Sequence, residues 1–140
     1  MLGDLLLEER GQITGQRVLD VESQRVEISY TAAGKYKGNI EYSEIATYWS
    51  VPSKIKKNES SGEGHGIMTT KDGDSAIWKS HGIGQVLSSG SRSLKGSAVY
   101  RLTQPTEKGI TLAELDNVMV VFEYEIDANG NYYGKAWQWK

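Results

Sequence analysis

Residues 62–86 read Gly-Glu-Gly-His-Gly-Ile-Met-Thr-Thr-Lys-Asp-Gly-Asp-Ser-Ala-Ile-Trp-Lys-Ser-His-Gly-Ile-Gly-Gln-Val. The spacing from Thr70 to Asp74 suits a three-residue hairpin loop, a type I turn over Lys71 and Asp72 followed by Gly73 as a left-handed bulge. Glycine suits that place because it has no Cβ to oppose positive φ. With Thr70 opposite Asp74, one face pairs Met68 with Ala76, Gly66 with Trp78 and Gly64 with Ser80. The other pairs Ile67 with Ile77, His65 with Lys79 and Glu63 with His81. The rival is a two-residue Asp-Gly loop, which sets Gly66 opposite Lys79 and Gly64 opposite His81. An indole over a glycine and a pair of isoleucines are good cross-strand partners, and they favour the first register.

The same glycine-in-fourth-place spacing recurs. At Thr31–Lys35 it would pair Tyr30 with Tyr36, Ile28 with Gly38 and Val26 with Ile40. At Leu87–Ser91 it pairs Gly84 with Leu94, Gly82 with Gly96, Ser80 with Ala98 and Trp78 with Tyr100. At Asp127–Asn131 it pairs Ile126 with Tyr132, Tyr124 with Gly134 and Phe122 with Ala136, against an Asn-Gly loop that would bring Trp137 beside Phe122. Residues 1–20 fit either one long bent strand or a small hairpin around Arg10-Gly11. Residues 52–61 form a polar loop entered at Pro52, with Lys54, Lys56 and Lys57 solvated. Thr111 and Glu114 could form a capping box over at most one helical turn.

Composition agrees with many short strands and tight turns: sixteen glycines, two prolines, eight tyrosines and four tryptophans. A meander in which each strand pairs with the next leaves exposed edges unless it closes. The expected fold is therefore all-β, one domain over residues 1–140, an antiparallel meander closed into a barrel of about eight strands. The absence of cysteine excludes thiol chemistry and disulfides, and a net charge of −2 gives no reason to expect nucleic acid or an anionic membrane as partner. The apolar run at the start is too short for a signal peptide and nothing reaches the length of a membrane span, so the expected setting is cytoplasmic.

These registers gather Tyr30, Tyr42, Trp78, Tyr100, Phe122 and Tyr124 on the inward face with many aliphatic residues. Gly62, Gly82 and Gly96 form one inward row, and Gly64, Ser80 and Ala98 the next. Rows without side chains are either filled by rings from the far wall or left as a cavity for a small apolar ligand. The candidate lining is Tyr42, Glu44, Trp78, Tyr100 and Tyr124. Glu44 is the polar member of this face. It is either wetted near a barrel mouth or desolvated among phenols with a raised pKa, and a one-residue bulge after Gly38 would bring Glu41 inward instead.

His65, His81 and Glu63 share an outward face, but Lys79 lies opposite His65 and no third strong metal ligand is visible. A surface Glu63–His81 pair is the expected arrangement, with no metal and no cofactor. The glycines from 62 to 66 have the wrong spacing for a dinucleotide fingerprint, and no Gly-x-Ser-x-Gly elbow appears. On the outside of the last hairpin, Met119 faces Trp139 and Val121 faces Trp137. So large an apolar patch calls for a cover, either Leu112–Leu115, the Met1–Leu7 start, or a second subunit in a dimer or trimer.

Several segments resemble a known group. Gly34-Lys35-Tyr36-Lys37-Gly38 leading into Ile40-Glu41-Tyr42, the Gly62–Gly66 strand, Val121-Phe122-Glu123-Tyr124-Glu125-Ile126-Asp127 and Lys135-Ala136-Trp137-Gln138-Trp139 are similar to small uncharacterised bacterial proteins placed with the allene-oxide-cyclase-like barrels. The resemblance implies a barrel with an apolar cavity. In the plant cyclases that cavity takes an oxidised fatty acid and the enzymes assemble as trimers. No cyclase residue maps onto a position here. Three functions stay open: a barrel binding a small apolar molecule, an isomerase or cyclase using Glu44, and a filled structural barrel that oligomerises.

Overall fold

A computed structural model describes residues 1–104 and 112–140. Eight antiparallel strands close into one barrel in chain order: β1 (Leu2–Asp20), β2 (Arg25–Tyr36), β3 (Ile40–Pro52), β4 (Glu59–Thr70), β5 (Ser75–Val86), β6 (Arg92–Gln104), β7 (Val118–Ile126) and β8 (Asn131–Trp139). Closure comes from β1, which pairs with β2 on one side and β8 on the other. Every inner strand thus has both edges hydrogen-bonded, as the closure argument required.

The hairpin at Gly73 has the expected register, with Gly66 opposite Trp78, Met68 opposite Ala76 and Glu63 opposite His81. Gly73 has φ +90°, and Thr70 and Asp74 close the loop, the Thr70 N–H donating to the Asp74 carbonyl at 3.0 Å. The loops at Gly90 and Gly130 repeat this form with φ of +88° and +82°. They set Trp78 opposite Tyr100 and Tyr124 opposite Gly134, as expected.

One expected turn needs correction, and the open path of the first twenty residues is resolved. No turn forms at Thr31–Lys35, because β2 runs unbroken to Tyr36 and the chain reverses over Lys37–Asn39, with Lys37 at φ +51° and Gly38 at φ +80°. Tyr30 therefore faces Ala46 rather than Tyr36. The pairing moves by an even number of residues, so Ile28, Tyr30, Tyr36, Tyr42 and Glu44 keep their inward side. At the start of the chain Arg10 and Gly11 lie mid-strand, so β1 is the long bent strand and not a hairpin. Its bends are bulges, between Leu2 and Leu7 against β8 and at Ile13–Gly15 and Val18–Asp20 against β2.

Among the described residues a 3-10 turn, Ala113–Leu115, packs at one end of the barrel. Leu112 and Leu115 are completely buried in the core there, and the Leu112 N–H donates to Asp74 Oδ2 at 3.3 Å. An ion pair between Lys37 and Glu114 ties the turn to the β2–β3 reversal. Leu112 has no side-chain cap, and Thr111 of the expected capping box lies outside the described residues. The opposite end carries the exposed lysine loop of residues 53–58 and the 87–91 turn.

Candidate functional site

Several cross-strand pairs in the interior set an aromatic residue opposite a glycine, and three of them bear on the site. Gly34 faces Tyr42, Gly66 faces Trp78 and Gly134 faces Tyr124. A Cβ at residue 66 would lie 2.5 Å from the Trp78 indole, and one at residue 34 would lie 2.7 Å from the Tyr42 hydroxyl. The gaps at Gly34 and Gly66 let Tyr42 and Trp78 cross the neighbouring strand and reach a polar group beyond. The Tyr42 hydroxyl donates to Glu9 Oε1 at 2.8 Å, and the Trp78 indole N–H donates to Glu44 Oε2 at 2.9 Å.

Glu9 and Glu44 are the buried charge-bearing pair, 2% and 3% exposed. Burial lifts Glu44 well above the usual carboxyl range, the negative charge of Glu9 lifts it further, and the Trp78 N–H only partly offsets this. Burial also raises Glu9, opposed by the hydrogen bonds it receives. As two carboxylates, the pair would leave Glu9 Oε2 and Glu44 Oε1 without any donor among the described residues. Burial and the charge of Glu9 favour a proton held on Glu44, and a proton shared within the pair halves the buried charge. The phenols of Tyr30, Tyr100, Tyr124 and Tyr132 are pushed well up by burial, with the two carboxyls among the other causes, and stay protonated.

Toward the 87–91 end the glycine rows leave space. A cavity of about 80 Å³ opens there, walled by Tyr30, Trp78, Tyr100, Phe122, Tyr124 and Tyr132. Gly62, Gly82 and Gly84 line its mouth with Ser60, Tyr48 and Arg92. Of the five expected lining residues, Trp78, Tyr100 and Tyr124 line the cavity, while Tyr42 and Glu44 do not. Glu44 meets the cavity wall through Trp78, which lines the cavity and donates its indole N–H to Glu44.

Glu9 and Arg92 escaped the reading of the residues. The β6 phase did carry a signal for Arg92, which is the next inward position beyond Leu94 and faces Val86. Glu63 and His81 form the expected exposed pair, His81 Nδ1 to Glu63 Oε1 at 3.6 Å, and His65 sets its ring edge-on to Trp49 at 5.2 Å between centroids. Among the described residues no three His, Asp or Glu side chains converge as a metal cluster would require, and no helix is long and apolar enough to cross a membrane.

On the outside, Val121 faces Trp137 as expected. Leu112 and Leu115 are buried in the core and leave this patch uncovered. Leu2 pairs with Trp139 and Leu5 with Trp137, so the start of β1 extends the patch sideways. Met119, Trp139, Leu2 and Leu5 are 40–53% exposed. A second apolar row, Ile45–Ile67–Ile77, crosses the outside of β3, β4 and β5.

Comparison with solved structures finds the same barrel elsewhere. A protein of unknown function from Clostridium acetobutylicum superposes with a TM-score of 0.76 over 98% of both chains, at 9% identity. A conserved protein of unknown function from Rhodopseudomonas palustris gives a TM-score of 0.72 over 99% of both chains, at 12% identity. The likeness is one of fold. No protein-family model matches the sequence, and no curated protein does.

Proposed function

We propose that the protein binds a small, largely apolar molecule in the cavity at the glycine-row end of the barrel. One observation carries this reading. Aromatic walls surround space at the place where Gly62, Gly82 and Gly84 withhold side chains, while the opposite half of the barrel is packed. The sequence resemblance to allene-oxide-cyclase-like barrels supports the same reading. Binding is favoured over isomerase or cyclase chemistry because Glu44, the candidate acid, does not line the cavity and is engaged by Trp78. A general acid must reach the reacting atom within hydrogen-bond distance. A thermal-shift screen of small apolar compounds tests the proposal. A ligand at a hundred times its Kd adds about 2.7 kcal/mol of apparent stability. Ser80→Leu, which fills the cavity, should abolish any such shift. A shift that persists in Ser80→Leu would move the site elsewhere.

The protein also self-associates on this proposal. The apolar surface shared by β7, β8 and β1 supports it, since four large side chains there stay substantially exposed in one copy.

A further inference from the structure

Arg92 occupies an unusual place. It is the inward residue that opens β6, it is half-buried, and it lines the cavity mouth. Among the described residues no carboxylate lies within ion-pair distance of it. Glu63, the other charged residue of the lining, pairs with His81. Tyr48 lines the same cavity, and its hydroxyl is buried and has no hydrogen-bond partner among the described residues. Burial raises the Tyr48 phenol and the Arg92 charge pulls it back, so the two groups feel each other across the mouth. A buried hydroxyl without a partner is costly to keep, and an unpaired guanidinium presents a planar fork suited to a carboxylate. Both deficits are met by one oxyanion placed between them.

The other end of the cavity rejects such a group. Its floor is Tyr30, Trp78, Tyr100 and Tyr132, and behind them sit Glu9 and Glu44. An anion is therefore turned outward, with its apolar body pointing down among the rings. The space of about 80 Å³ is smaller than an engineered cavity of about 150 Å³ that admits benzene. That leaves room for a short body and none for a long alkyl chain.

We propose that the pocket takes a small organic carboxylate, its charged end held at the mouth by Arg92 and Tyr48 and its short branched or cyclic body among Trp78, Tyr100 and Tyr124. This rests on the cavity being a binding site, and the test separates the two ideas. Isovalerate and its neutral amide, isovaleramide, are titrated at pH 7 into the wild type, Arg92→Gln and Tyr48→Phe, with binding read by calorimetry. The wild type should prefer the carboxylate by about tenfold or more, and Arg92→Gln should bring the preference to within about twofold. Tyr48→Phe should reduce it partway. Added salt should weaken isovalerate binding to the wild type and spare the amide, which keeps the test alive if a variant misfolds. Equal binding of both compounds, or a preference that survives Arg92→Gln and is insensitive to salt, overturns the carboxylate inference and leaves the binding site standing. Failure of both compounds to bind overturns the two together.

Discussion

Replacing Glu44 by glutamine should change how stability depends on pH. In the folded barrel Glu44 keeps a proton that the unfolded chain gives up above about pH 4.5, because burial and the adjacent Glu9 raise its pKa. The folded state then binds more protons than the unfolded one, so stability falls as pH rises. The slope is about 1.4 kcal/mol per pH unit for one retained proton, lasting until pH reaches the folded pKa of Glu44. Glutamine has nothing to release. Its carbonyl oxygen still accepts the Trp78 indole N–H, and its amide donates to Glu9 in place of the acid proton. Above pH 5 the wild type should therefore lose stability that Glu44→Gln keeps, at about 1.4 kcal/mol per pH unit for as long as the proton is retained. The window starts at pH 5 because Asp20, Glu114 and Asp127, whose pKa values are lowered by surface hydrogen bonds, change stability in the opposite sense only in more acid solution. Urea unfolding at half-unit pH steps provides the measurement, and the difference between the two proteins reports the Glu9–Glu44 pair. Parallel curves for the two would mean that Glu44 is ionised in the folded barrel, and the shared-proton account would be wrong.

Trp78→Ala should cost about 3–5 kcal/mol in chemical denaturation, since it empties a buried ring site and strips Glu44 of its donor; a loss under about 1 kcal/mol contradicts this packing. Gly66→Ala should cost about 1–3 kcal/mol by pushing the indole off its neighbour strand, and near-UV circular dichroism should report the displaced ring. Gly73→Val should destabilise more than Asp72→Ala, because a β-branched side chain resists the positive φ of that bulge; equal midpoints would argue against it. Light scattering behind a sizing column should show an oligomer at micromolar protein, and Trp137→Ala combined with Val121→Ser should reduce it to monomer. If assembly survives that double change, the isoleucine row of β3–β5 becomes the interface to test.

Most of the barrel was legible because hairpin loops with glycine at positive φ fix register locally, and register fixes faces. The mistaken turn at Gly34 shows the limit of that signal. A glycine that serves a turn and one that makes room for a ring look alike in sequence, and only the Tyr42 hydroxyl crossing to Glu9 tells them apart. The faces survived the error because the true turn lies an even number of pairings away. Glu44 was legible as an inward residue of an alternating strand, but its partner was not. Around Leu5–Leu7 a bulge against β8 leaves Leu6 and Leu7 both buried, which breaks the period of two and hides the phase of Glu9. The cavity was legible as rows of missing side chains, whereas its reach was not. How far Trp78 fills the barrel, and so whether Glu44 touches the pocket, depends on a side-chain path that no spacing records.

The account stands or falls on whether a ligand enters the barrel beside Trp78. Four tryptophans give four indole N–H signals in a nitrogen-15 spectrum, and of these rings only Trp78 lines the cavity. Titration with isovalerate should move the Trp78 indole signal progressively to saturation while those of Trp49, Trp137 and Trp139 hold still. A titration in which the Trp78 signal stays fixed, or all four drift together, would contradict a binding site inside this barrel.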